Sequence, residues 1–309
     1  MRDPPRNRQV KRALLLAALA GFAAARATAQ VDAEIALERE ALLLYEPIRV
    51  LVQLTNLSPK PLDLARAASE KPWLEIFVAR ADDTAVPRTA KPWSPPAALL
   101  LPGQKRILET NILPAFQIRE PGDYRIHVRV NDHGRPAAAR TLKLSVERGT
   151  TLRQQQALLP PAETSADSRT RLYTLLLHRQ GETRELFVRV EDPQQERVFG
   201  AFRLGPWVNS ADLETKVDRE GSLHVLQRAG ARVFRYSRVM PNGKIQPQRV
   251  FSNIGSPPHL ALLGNDAIEV VGGEEIVLEK GKPEGLIPTA PLASPPRSPP
   301  SPSPKGNGF

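Results

Sequence analysis

The amino-acid sequence predicts an all-β protein of two successive units and a tail, on three observations. Over several short segments apolar and polar residues alternate one by one, the period of a strand with one buried face. Those segments are separated by Pro, Gly, Asn and Asp in turn-forming combinations. Hydrophobic residues make up 41% of the chain and charged residues 25%, the balance of a protein with a core to bury. The length of 309 residues suits two domains of roughly 100–200 residues each.

Residues 1–29 have the layout of a leader. Arg2, Arg6, Arg8, Lys11 and Arg12 precede an Ala/Leu-rich run at 13–25, and Ala27-Thr28-Ala29 has the small-x-small form of a cleavage site. The run is shorter than the ~20 residues of a membrane span, so the pattern is that of a cleaved secretory signal rather than a retained anchor. Export to the periplasm, the cell surface or the medium is the expected localisation. Six of the 43 Lys and Arg and one of the 33 acids fall within 1–29, so the net charge of +10 drops to +5 in the remainder. Those charges are spread along the chain and do not form the basic block of a nucleic-acid footprint. The chain has no Cys, which excludes disulfides, thiol catalysis and Cys-ligated metal and leaves core burial to hold an exported fold.

The first unit is expected at 30–147. Ile48, Val50, Val52 and Leu54 alternate with Arg49, Leu51, Gln53 and Thr55, which places one apolar row on one face of a strand. Asn56-Leu57-Ser58 fits a glycosylation acceptor pattern, but with Pro59 following it reads as the turn that ends this strand. Further strands are expected at 73–78, 99–101, 106–113 and 142–146, with an irregular stretch at 79–96. The clearest half-buried strand is 124–130, where Tyr124, Ile126, Val128 and Val130 alternate with Arg125, His127 and Arg129. Short strands with frequent turn signals are the mark of a β-sandwich. The segments "YEPIRVLVQLTNLSPKPLDL", "LLPGQKR" and "EPGDYRIHVRV" resemble, in that order, the bacterial immunoglobulin-like domains over about 31–147. The resemblance implies a sandwich fold and no activity, and it suggests a tyrosine corner at Tyr124.

Residues 148–168 are expected to be a linker or one short helix, the helix of about two turns over 151–159, where Gln, Ala, Leu and Arg are tolerable helix formers, stopped by Pro160-Pro161. The second β unit is expected at 169–282, with strands at 172–178, 184–190, 197–204, 222–227, 232–239, 244–251, 260–263, 267–271 and 275–278. Arg-Val-Phe runs begin at 197, 232 and 249, and the first two suggest a repeat with the third out of phase. "DREGSLHVLQ" and "RVFRYSRVMPNGK" are similar to one blade of the BNR or sialidase-like propeller type, over about 217–244. Four blades need about 160 residues, so a meander, a partial propeller or a second sandwich fits the length better than a closed propeller. Residues 283–309 are dense in Pro and Ser and read as a disordered tail of polyproline II character.

The chemistry-bearing residues are sparse. His127, His133, His178, His224 and His259 show no metal-ligand spacing, so no metal or other cofactor is expected. His224 lies in the blade-like segment as a candidate contact, set against an ordinary strand histidine. Asp218 and Glu220 offer paired carboxylates, and Tyr236 lies between Arg235 and Arg238, a faint echo of sialidase-like sites. Strand exteriors require such polar residues in any case. Trp93, in Lys91-Pro92-Trp93-Ser94-Pro95-Pro96, and Trp207, after Gly205-Pro206, are the other candidate partner contacts, since aromatics beside Pro and basic residues often mark binding surfaces.

With no catalytic constellation, the expected function is that of an exported, non-enzymatic binding or scaffolding protein of the bacterial cell envelope with a protein or glycan partner. One alternative is a protease inhibitor or regulator acting through the 79–98 loop. The other is a glycan-acting hydrolase using 169–282.

Overall fold

The computed structural model describes residues 31–64, 72–91, 93–132, 135–160, 170–209, 211–264 and 267–277. The expected signal, the Pro-rich tail, His133 and part of the expected linker lie outside these. The described chain is all-β. Its only helical turn is a 3-10 turn at Leu113–Ala115, and no helix among the described residues is long and apolar enough to cross a membrane.

The first unit is a two-sheet sandwich. Strands β1 (Val31–Leu37), β3 (Arg49–Asn56) and β7 (Lys105–Asn111) form one antiparallel sheet in that order. The opposing sheet runs β2 (Ala41–Leu43), β9 (Arg135–Glu147), β8 (Gly122–Asp132) and β5 (Leu74–Arg80), with β2 parallel to β9. A short pair, β4 (Leu62–Asp63) and β6 (Leu99–Leu100), lies beside them. The core follows the expected alternation: Val50, Val52 and Leu54 from β3 meet Leu74, Ile76 and Val78 from β5 and Ile126, Val128 and Val130 from β8. His127 is on the solvent side of β8, as its place in the alternation requires. The Tyr124 hydroxyl donates to the Glu120 carbonyl at 2.6 Å, the upstream bond of a tyrosine corner.

Asn56 ends β3 as a turn residue should. Its amide donates to the carbonyls of Lys60 and Leu100 at 2.9 and 3.0 Å, while its oxygen accepts from the Ser58 N–H at 2.9 Å. The side chain is fully buried and engaged.

The expected short helix at 151–159 is instead a strand, β10 (Thr150–Leu158). Helix propensity is a weak prior that tertiary pairing overrides, and here the neighbouring strand takes up its backbone groups from Thr150 to Leu158. Arg148 and Gly149 alone separate β9 from β10, and 161–168 of the expected linker lie outside the described residues. Strands β10, β11 (Thr170–Gln180), β12 (Thr183–Asp192) and β13 (Arg197–Pro206) make an antiparallel meander. A second meander follows: β14 (Glu214–Val217), β15 (Leu223–Arg228), β16 (Val233–Val239) and β17 (Arg249–Ser252). The hairpin of β18 (His259–Leu262) and β19 (Ile268–Val271) comes next, and β20 (Glu274–Ile276) returns to pair with β17.

These three sheets stack face to face. Tyr173, Leu175, Leu186, Val188, Leu223 and Val225 fill the space between the first two. Leu226, Phe234, Tyr236, Leu260 and Ile268 fill the space between the second and third. The leading strands are tied in series, with Arg153 of β10 on the Thr215 hydroxyl at 3.0 Å and Glu214 of β14 accepting from the Leu260 N–H at 2.7 Å. The Arg-Val-Phe runs at 197 and 249 open the fourth strands of the two meanders, whereas the run at 232 leads into a third strand. The run expected to be out of phase is thus the true counterpart of the first.

The two units share an apolar contact. Leu43 of β2, Leu176 of β11 and Phe187 of β12 form a buried cluster, and the Ala201 N–H donates to the Tyr45 carbonyl at 2.8 Å. Arg39 lies over the Phe187 ring and pairs with Glu46 at 2.6 Å.

Candidate functional site

Two places hold the residues singled out in the sequence. The first is in the second meander, where the β14–β15 turn brings Asp218 and His224 together. The His224 Nε2 is 2.9 Å from Asp218 Oδ2, and its Nδ1 is 2.8 Å from the Tyr236 hydroxyl on the adjoining strand. Arg238 donates to the same Asp218 oxygen at 2.5 Å, and the other oxygen accepts from the Ser222 N–H at 2.7 Å. Burial pushes the Asp218 carboxyl up, but the bonds from His224 and the Ser222 N–H, with the Arg238 charge, outweigh it and hold the group below its ordinary value. Burial pulls His224 below its ordinary 6.5 against the pull of Asp218, and burial raises Tyr236.

This chain of groups is a turn lock. Both Asp218 oxygens are occupied, His224 is 3% exposed, and Glu220 reaches Arg238 only at 3.5 Å from the solvent side. The Asp218 and Glu220 carboxylates share the Arg238 Nη2, at 2.5 and 3.5 Å, with Asp218 buried inside the turn and Glu220 on the solvent side. Tyr236 lies between β15 and β17, in the register of Leu226 and Arg249. Trp207, expected at a binding surface, is instead buried against the core of the two meanders. Among the described residues no three His, Asp or Glu converge as metal ligands.

The second place is a groove on the sandwich, and it includes the remaining candidate, Trp93. Trp73, just before β5, is buried and donates its Nε1–H to the Pro96 carbonyl at 3.1 Å. That bond holds the 93–97 segment against the start of β5, where Trp93 packs half-buried on the edge of the core. The result is a groove of about 420 Å³ whose walls include Trp73, Phe77, Trp93, Pro72, Pro95 and Glu75. Phe77 is 53% exposed, an unusual amount for a phenylalanine in the middle of a strand. The same ring borders a second hollow beside His127, Arg129 and Arg140 on the outer face of the sheet. Glu75 meets Arg129 at 3.4 Å.

The loop behind the groove is pinned. Val86 N–H donates to the Val78 carbonyl, Arg88 Nη2 to the Ile76 carbonyl and Thr89 N–H to the Ala115 carbonyl, at 2.9, 2.9 and 3.0 Å. The groove was legible only through Trp93. Phe77 carries no signal in the sequence, because a strand Phe ordinarily faces the core.

No family model matches the chain, and no curated protein matches it. Solved structures resemble part of it. One is a β-glucosidase from Listeria innocua in complex with isofagomine, 14% identical over 38% of this chain and 16% of that one, with a TM-score of 0.25. Another is the alkylpurine DNA glycosylase AlkC of Pseudomonas fluorescens bound to DNA containing an abasic site analog, 19% identical over 38% of this chain and 31% of that one, also at 0.25. The chain spans less than a third of the length of either.

Proposed function

We propose that this chain is an exported, non-enzymatic binding or scaffolding protein of the bacterial cell envelope. In this reading an immunoglobulin-like module carries the contact surface and a blade-like meander stack serves as its support. The observation that carries the proposal is the aromatic groove at Trp73, Phe77 and Trp93. A concave, mostly apolar surface with a few polar groups at its rim is the common form of a recognition site, and exposed aromatics are the residues that most often dominate such contacts. The test is retention of one envelope protein or glycan from an extract of the source organism, with the full chain as bait. Stoichiometric retention that is lost in both Trp93→Ala and Phe77→Ala supports the reading. Equal retention by all three chains, or none by any, overturns it.

A second reading rests on the same loop. Its tip at 81–85 is exposed, with the Thr84 N–H bonded to Asp82 Oδ1 at 3.0 Å, while its flanks are pinned to β5 and to the 3-10 turn. A rigid exposed loop suits a protease inhibitor, because little entropy is lost on binding. Inhibition of a panel of envelope proteases that vanishes when 81–85 are replaced by Gly and Ser would establish this reading in place of the first.

A further inference from the structure

We propose that the groove is built for a polyproline II strand and that its resident occupant is this chain's own Pro-rich segment, Ala293–Pro304. The proposal rests on the groove being a recognition site, and it names the ligand. Three observations carry it. The walls combine three aromatic rings with Pro72 and Pro95, and stacked rings with gaps between them are what proline rings fill in polyproline recognition. Residues 293–304 read "ASPPRSPPSPSP", and no acidic residue follows Glu284. Arg297, set between two Pro pairs, thus brings an unopposed positive charge to a groove whose wall carries Glu75, at present paired with Arg129 only at 3.4 Å.

Reach is the third observation. The last described residue is Val277, which is 86% exposed. The residues between it and Pro295 span about 55 Å at the polyproline rise of 3.1 Å per residue. A tethered segment acts at an effective concentration near the millimolar range, so a weak intrinsic affinity is enough to keep the groove occupied. A partner that binds the groove would then compete with the tail for the same rings.

The experiment uses the full chain and a chain of equal length in which Pro295, Pro296, Pro299 and Pro300 are replaced by Ala. Trp73 and Trp207 are buried and Trp93 is half-buried, so acrylamide quenching of tryptophan fluorescence reports chiefly on Trp93. The expected result is a quenching constant about twofold higher in the substituted chain, restored by a free peptide of residues 291–305 and independent of protein concentration. Arg297→Glu should raise quenching as well, and adding Glu75→Lys should reverse that rise. Identical quenching in both chains overturns the proposal. So does protection that falls on dilution, which would place a second copy's tail in the groove. The broader reading is tested separately: if the substituted chain shows the change in quenching but retains no more envelope partner than the parent, tail docking stands and the groove's role as an envelope contact falls.

Discussion

The imidazole of His224 and the carboxylate of Asp218 meet at 2.9 Å inside the β14–β15 turn, both nearly excluded from solvent. Arg238 and the Ser222 N–H complete the shell around the carboxylate. Asp218→Ala leaves the buried His224 imidazole and the Ser222 N–H without their acceptor and removes one of two carboxylates on the part-exposed Arg238, and should destabilise the protein by about 2–3 kcal/mol, since an unmet buried donor costs far more than an average hydrogen bond gains. Urea denaturation of both proteins at neutral pH measures this.

The same pair sets a pH dependence. His224 titrates below its ordinary 6.5 in the fold, so below pH 6.5 the unfolded chain takes up a proton that the folded chain resists. Asp218 also titrates below its ordinary 3.8, so as pH falls through that range the unfolded chain again binds the proton first. Both contributions are present at neutral pH and are lost on acidification. Thermal stability should fall in two stages, one beginning near pH 6.5 and one below 3.8. His224→Gln should shrink the first stage, to which His178, also held below 6.5 by burial, contributes the remainder, as read by melting curves from pH 8 to 3.

Gly149 is the second of the two residues between the units. It has φ +70°, and a Cβ there would lie 2.9 Å from Leu43 Cδ2 and 3.1 Å from the Leu177 carbonyl oxygen. Gly149→Ala therefore incurs left-handed strain and crowds the Leu43 side chain and the Leu177 carbonyl. A loss of about 1–3 kcal/mol is expected, measurable as a lower melting temperature, while Gly181→Ala, left-handed as well but open to space, should lose less.

Phe187 is fully buried where the units meet, against Leu43 and Leu176. Phe187→Ala should cost about 3–5 kcal/mol through the cavity it leaves. Because the lost contact couples the units, calorimetry of the variant should show two separated transitions in place of one. A single transition at lower temperature would mean that the sandwich and the meander stack do not melt independently.

Asn56 meets four groups within the turn that ends β3: the Lys60 and Leu100 carbonyls, the Ser58 N–H and the Ser58 hydroxyl. Asn56→Ala should destabilise by about 2–4 kcal/mol. Asn56→Asp should recover little, since a carboxylate cannot donate to the two carbonyls. Denaturant midpoints of the three proteins test the ordering.

Much of the sandwich was legible because its signal is local. Side chains alternate faces at every residue of a strand, so Val50, Val52 and Leu54, or Ile126, Val128 and Val130, announce their own burial. Asn56 announced its turn through the Ser and Pro that follow it. Where the local signal was neutral, the reading failed. Val31–Leu37 spaces its two most buried residues, Val31 and Ile35, four apart with Asp, Ala and Glu between, and it gave no strand signal. The Gln-rich β10 leaned toward helix for the same reason. Both lie at sheet edges, where one partner strand supplies the hydrogen bonds and sequence has little say.

The candidate sites divide in the same way. Asp218, His224, Tyr236 and Arg238 were each visible in the sequence, but only the pairing of β14, β15 and β16 brings them together and shows a saturated lock. Trp93 and Trp207 looked alike, each beside Pro in a loop. Packing turned Trp207 into core and left Trp93 at the rim of a groove. What the sequence by itself determined is the all-β class, the main strand faces and the turns, because alternation and turn chemistry act within a few residues. The tertiary structure alone decided the contact between the units, the stacking of the meanders and the side on which each aromatic ring came to rest, because those depend on residues far apart in the chain competing for the same buried space.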